Sequence, residues 1–224
     1  MVFKEELDYI SATNRDQSLF NQIDMSNKAE SPDQDMKDLM RVPLLRMNLI
    51  FSFIVWSCAM FNFYLITFYL KYFPGSIFIN SIWFALSDFF SFILSGVILK
   101  QSNNANKTLL ASFAVSAVGG IFYLLFYHQT HLVPLFIILS RVGNSMAFNT
   151  VYVSNNRFFP TRFLSSTYGL ANFVSHLIAV GAPMLAEVSD PYPYTVFLFN
   201  SCVGAVGSYF LQDITQVEGK ITTS

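Results

Sequence analysis

Apolar and polar positions divide the chain into a tail and a set of long runs. Residues 1–39 are rich in Asp, Glu, Asn, Ser and Lys. Such a stretch buries too little apolar surface to offset the entropy of ordering, which predicts a largely disordered polar tail. From Met47 the character changes. Uncharged or nearly uncharged runs follow at Met47–Leu70, Ser76–Leu99, Thr108–Tyr127, Leu132–Ser154, Phe163–Ala186 and Tyr192–Leu211. Each reaches the roughly 20 residues that a helix rising about 1.5 Å per residue needs to cross a hydrocarbon core of about 30 Å. The pattern predicts an all-α membrane protein: a six-helix transmembrane bundle over residues 40–212, followed by a polar tail at 213–224.

The breaks carry turn chemistry or polarity, as in Phe73-Pro74-Gly75, Gln101-Ser102-Asn103-Asn104, His128-Gln129-Thr130-His131, Arg157 to Arg162 and Ser189-Asp190-Pro191. Strands are the wrong reading, because the runs are about twice the length of a spanning strand. Before them, residues 36–46 mix bases with apolar side chains, as a segment lying on a membrane surface does. Pro43 restricts how far a helix extends there.

Composition agrees: 53% of the 224 residues are hydrophobic and only 12% charged, about half the charged share of a soluble domain. With a formal net charge of −1, no basic field points to nucleic acid. The amino terminus lacks the apolar core of a cleavable signal. Cys58 and Cys202 both fall inside apolar runs, where a free thiol behaves as a small hydrophobe, so no disulfide framework or zinc site is expected. Tyr127, Tyr192 and Tyr194 stand where interfacial anchors stand.

Orientation follows from the bases. With the amino terminus cytoplasmic, Lys37, Arg41, Arg46, Lys100, Lys107, Arg157, Arg162 and Lys220 share that side, and Lys71 alone faces the other. By the positive-inside rule both termini are expected in the cytoplasm.

Within the six runs the formal charges are Asp88 and Arg141. Either one facing lipid is costly, so each should face protein or a water-filled cavity. Counted from the outer helix ends, Asp88, Arg141 and His176 lie at similar depths, about 14–18 Å. Substrate and ion sites of transporters form near that midplane. An Asp88–Arg141 pair that serves only to lock two helices in register is the competing explanation.

The stretch from Ser140 through Arg141, Asn144, Phe148 and Asn149 to Val153, followed by Phe159-Pro160-Thr161 and Gly169, resembles the carboxy-terminal half of the organic cation/anion transporters of the major facilitator superfamily. His176 to Pro183 resembles the family's R-x-G-x-x-x-x-P stretch, and Phe61-Asn62-Phe63-Tyr64 its aromatic F-x-Y-Y. The likeness covers about residues 37–212. It implies the six-helix half of the major facilitator fold, a 3+3 inverted repeat, with Phe63, Tyr64, Asp88, Arg141, Phe148 and His176 as substrate-binding residues. Two family gate charges are replaced, by Arg157 and Leu164, and the acid–base loop pattern after Gly96 is lost.

Alternating access in such a fold rocks one bundle against another around the site. The expectation is therefore a half transporter for a small organic solute, embedded in the lipid bilayer and completed by a second six-helix half. That half is a second copy or a separate chain. A transport-inactive half serving as a structural subunit among other membrane subunits is the alternative. No cofactor or metal is expected. The absence of G-x-S-x-G, H-E-x-x-H and P-loop patterns argues against an enzyme.

Overall fold

The computed structural model describes residues 39–72, 76–129, 132–160 and 163–213. Residues 1–38 and 214–224 of the predicted tails lie outside these, as do residues 73–75, 130–131 and 161–162 of three predicted breaks. Every predicted run contains a helix, and no strand occurs among the described residues. The helices are α1 (Pro43–Tyr69), α2 (Ile77–Ser102), α3 (Ala105–Phe126), α4 (Val133–Phe158), α5 (Leu164–Ala179), the short α6 (Ala182–Ala186) and α7 (Tyr192–Phe210).

Local chemistry sets the ends. Pro43 opens α1 rather than shortening it, because its missing N–H falls where a helix has no partner for one. Asn103 ends α2 in the left-handed region at φ 45°, its N–H bonding to the Leu99 carbonyl. Asn104 then caps α3 by accepting from the Lys107 N–H at 3.2 Å. The fifth predicted span, 163–186, is interrupted: α5 ends at Ala179, and α6 restarts after Gly181 with Pro183 in its first turn. Pro183 has no N–H for the Ala179 carbonyl, so an unbroken helix would lose a bond there.

Four of these helical stretches are long and apolar enough to cross a membrane: α1 with the 3-10 turn that extends it to Tyr72, α2, α3, and α5 with α6. The expected spans at 132–154 and 192–211 fall short of that standard. Helix α4 carries Ser140, Arg141, Asn144, Ser145, Asn149 and Thr150, and α7 carries Asn200, Ser201 and Ser208. Much of this polarity is buried, on the faces that α4 and α7 turn toward neighbouring helices.

Packing is inverted relative to a soluble protein. The buried face of α2 is Phe84, Ser87, Ser91, Ser95 and Leu99, while Phe78, Ile82, Trp83, Phe89 and Phe90 point outward. The serine hydroxyls bond carbonyls of their own helix, as Ser91 does to Ser87 at 2.5 Å, which removes their need for an external partner. Small residues also bring backbones together. Gly119 lies against Ser140, and Gly143 against the backbone of Ser116, so α3 and α4 cross nearly in contact.

Helix α1 packs on α4, α5, α6 and α7, and α4 packs on α1, α2 and α3; α3 and α7 also meet. Two apolar clusters form. One, with Leu45, Leu49, Leu109, Phe113, Phe158 and Leu211, lies at the end carrying residues 39 and 213. The other, with Leu65, Tyr69, Tyr123, Ile137, Tyr194 and Phe197, lies at the far end. A polar layer also links helices: Asn62 donates to the Phe197 carbonyl (3.2 Å) and Ser201 (3.0 Å), Ser116 meets Ser201 (3.2 Å), and Asn144 donates to the Ala59 carbonyl (3.1 Å).

Each end is tied. At the near end Asn48 donates to the carbonyls of Phe158 (3.0 Å) and Gln212 (2.9 Å) and accepts from the Gln212 N–H (2.9 Å). Asp213 accepts from the first N–H of α3, at Ala105 (3.2 Å), and pairs with Arg157 (3.8 Å). Of the surface-lying segment expected at 36–46, residues 36–38 lie outside the described residues; Leu39, Val42 and Leu45 are buried against the bundle while Met40, Arg41 and Arg46 are exposed. At the far end Tyr194 is 2% exposed and stacks on Tyr123 at 3.7 Å. This corrects its reading as an interfacial anchor: its ring fills the space between α3 and α7.

The α6–α7 connection is held at that end by Asp190, which accepts from Tyr69 and Tyr123, and by Glu187, which pairs with Lys71 and accepts from Tyr72 (2.6 Å). The Lys71 ammonium, then the Tyr72 hydroxyl, hold the Glu187 carboxyl below its ordinary value. A carboxyl lowered by pairing contributes at pH values above its unfolded pKa, and loses that contribution as pH falls through the lowered one. Titration of 13C-labelled Glu187 by NMR is expected to give a midpoint below about 4.3, rising toward that value in Lys71→Met and further when Tyr72→Phe is added. An ordinary midpoint in the unmodified chain would rule the clasp out.

Candidate functional site

Helices α1, α2 and α4 converge on the two charges. The Arg141 guanidinium meets the Asp88 carboxylate in a two-point fork, Nε to Oδ1 at 3.0 Å and Nη2 to Oδ2 at 2.6 Å. Its third nitrogen, Nη1, donates to Thr67 Oγ1 at 2.9 Å, and Ser145 donates to Asp88 Oδ1 at 2.6 Å. Planar forks of this kind are the strong form of ion pair. The pair is well enclosed, with the side chains of Arg141 and Asp88 6% and 18% exposed.

Aromatic rings complete the enclosure. The guanidinium carbon lies 4.8 Å from the centre of Phe63 and 4.5 Å from that of Phe84, within cation–π range. Phe63 stacks on Phe148 at 4.7 Å, and Phe148 continues to Tyr152 at 4.9 Å. Tyr152 then meets Trp56 at 4.5 Å and Tyr168 at 5.7 Å. A band of rings thus runs from the ion pair along α1 and α4 onto α5.

The expected site residues divide in two. Phe63, Asp88, Arg141 and Phe148 form one contiguous group. Tyr64 lies beside it, edge-on to Phe63 at 6.0 Å. His176 does not join the pair by a hydrogen bond: it is exposed on α5, with its Nδ1 proton on the Asn172 carbonyl (2.9 Å) and its ring 6.1 Å from Tyr64. It belongs to the rim of the face.

Sequence reasoning missed Thr67, Ser145, Phe84 and Tyr152. Two carried a usable signal, since Thr67 follows Phe63 and Ser145 follows Arg141 by four residues, one helical turn along the same face. Tyr152 donates to Asn172 Oδ1 at 3.0 Å, and Asn149 to Ser95 Oγ at 2.7 Å. These contacts join α4 to α5 and to α2.

The resulting face differs from the rest of the surface. It presents Tyr64, Phe148, Asn149, Tyr152, Asn156, Tyr168, Asn172 and His176, all partly or fully exposed. Elsewhere the surface carries Phe78, Leu125, Leu135, Phe199 and Val206, each more than half exposed. Amides and hydroxyls at membrane depth require protein or water as a neighbour, whereas the other surface suits lipid. No family model matches the chain, and no curated protein matches it.

Proposed function

We propose that this chain is a six-helix half of a major facilitator-type transporter. It crosses the membrane six times with both ends cytoplasmic, and it carries a small organic solute by alternating access against a second six-helix bundle. The observation that supports this reading best is the polar, aromatic face beside a buried ion pair, open where a partner bundle or water would stand. Helix neighbours support it too. Exchanging α1, α2 and α3 for α4, α5 and α7 maps the contact of α2 with α4 onto that of α5 with α1, and the contact of α3 with α4 onto that of α7 with α1. That is the relation a 3+3 repeat requires.

The test is solvent access. In a chain with Cys58 and Cys202 replaced by Ala, Asn172→Cys and His176→Cys should react with a membrane-impermeant maleimide on the order of ten times faster than Phe199→Cys, because only a hydrated thiol ionises and attacks. Reaction should occur from either side of the membrane. Equally slow rates at all three positions would end the proposal.

A second reading, a transport-inactive subunit, draws on two observations. All three guanidinium nitrogens of Arg141 have partners within the chain. Arg157 turns inward, to Asn103 (3.2 Å) and Asp213, where a gating residue would meet the opposing bundle. This reading has the open face permanently covered by another membrane protein, and in the intact complex that face resists maleimide from both sides.

A further inference from the structure

The open face has two unlike edges. Along one, α4 packs on α2, and Asn149 commits its amide nitrogen there, Nδ2 donating to Ser95 Oγ at 2.7 Å and to the Phe92 carbonyl at 3.4 Å. Its Oδ1 is left to accept. Along the other, α5 packs on α1, and Asn172 commits the opposite end of its amide, Oδ1 accepting from the Tyr152 hydroxyl at 3.0 Å. Its Nδ2 is left to donate. Both residues are partly exposed, and neither of these open atoms is among the fully enclosed polar atoms that lack a partner. Counted from the near ends of α4 at Phe158 and α5 at Leu164, the two asparagines lie about 14 and about 12 Å deep.

An acceptor on one edge and a donor on the other, at one depth, match under a particular symmetry. A twofold axis along the membrane normal, through the middle of the face, exchanges the edges: the α2–α4 edge of one copy comes opposite the α5 edge of the other. Two copies inserted in the same direction are related in this way, and in such an interface residue i meets j while j meets i. Asn149 Oδ1 of each copy then faces Asn172 Nδ2 of the other, so one chain carries both halves of the contact. Amide hydrogen bonds between helices are a recurrent means of association within membranes.

We propose that the second bundle is another copy of this chain, related by a twofold axis along the membrane normal, with Asn149 of each copy hydrogen-bonded to Asn172 of the other. This rests on the transporter reading and names its partner. Tyr64, Phe148, Tyr152 and His176 of both copies then line one shared cavity.

The test uses full chains with Cys58 and Cys202 replaced by Ala, two differently tagged copies being co-expressed, purified through both tags and reconstituted in liposomes. With Asn149→Cys in one copy and Asn172→Cys in the other, each pair keeps one of its two bonds. Oxidation by copper phenanthroline should link these copies at least about tenfold faster than pairs in which both carry Asn149→Cys or both Asn172→Cys, because the axis sets like positions apart. Should a variant fail to fold, or like pairs fail to associate, Phe92→Cys and His176→Cys mark the same two edges with both asparagines in place and should behave alike. Equal rates in like and unlike pairs overturn the axis, and copies that never co-purify, or unlike pairs that never link, overturn the second copy. Asn172→Leu removes both bonds and should weaken self-association, read by energy transfer between labelled copies, about tenfold; unchanged association overturns the asparagine contact. Maleimide access separates the two claims. Fast reaction at position 172 without linkage between copies leaves a transporter whose second half is a separate chain, whereas linkage across a face that resists maleimide from both sides leaves the pairing and removes transport.

Discussion

Asp88→Ala is expected to destabilise the folded chain by about 3–5 kcal/mol, the cost of leaving a buried charge without its partner. The Arg141 guanidinium sits in an enclosed site between Phe63 and Phe84. Once the carboxylate is gone, Thr67 alone among the described residues still accepts from it. The double variant Asp88→Ala/Arg141→Met should recover most of the loss, because removing both charges also removes the desolvation that the pair offsets. In that variant Ser145 can turn back to a carbonyl of its own helix, as other serines here do. Denaturant unfolding in micelles followed by Trp fluorescence gives the full cycle. A single-variant loss below about 1 kcal/mol, the size of an exposed pair, would show that the pair is not what holds α2 to α4.

Gly143→Val should cost about 1–3 kcal/mol or more through overpacking, whereas Gly169→Ala should be neutral or stabilising. A Cβ at Gly143 falls against the Ser116 backbone nitrogen, 2.7 Å from its Cα and 2.9 Å from the Ser112 oxygen. These are backbone atoms, so no side chain can swing aside and α3 must move away from α4. A Cβ at Gly169 meets nothing within 4 Å, and a helical Gly→Ala change removes about 0.5–1 kcal/mol of backbone entropy cost. Thermal unfolding of the two variants side by side reads the contrast. Equal Tm values would mean that the α3–α4 crossing is looser than Gly143 indicates.

What could be read from the sequence followed from the length of uncharged runs, a property of single segments. Each run holds a helix within a few residues of its expected ends, apart from the interruption at Gly181, just before Pro183. Asp88 and Arg141 stood out because a charge in an apolar run needs protein or water beside it; they pair with each other, as the competing explanation has it. Burial was harder to foresee. In helices that meet lipid, apolarity no longer marks the inside, so the Ser87, Ser91 and Ser95 stripe that α2 buries reads as its weak face. Tyr194 looked like an anchor by its position, and only the stacking with Tyr123 explains why it is enclosed. The pairing of Arg157 with Asp213 joins residues far apart in sequence, and no local pattern announces it.

The asparagines of α1 bear on how the chain is made. Asn62 bonds to Phe197 and Ser201 of α7, and Asn48 to Gln212 just beyond it. During synthesis α1 leaves the ribosome before these partners do. Until then Asn62 lacks both of its acceptors and Asn48 retains at most the Phe158 carbonyl, so the growing bundle holds unmet amide groups in a medium that penalises them. Closure of the bundle therefore waits on the arrival of α7, and a chain stopped before that helix keeps these amides unpaired.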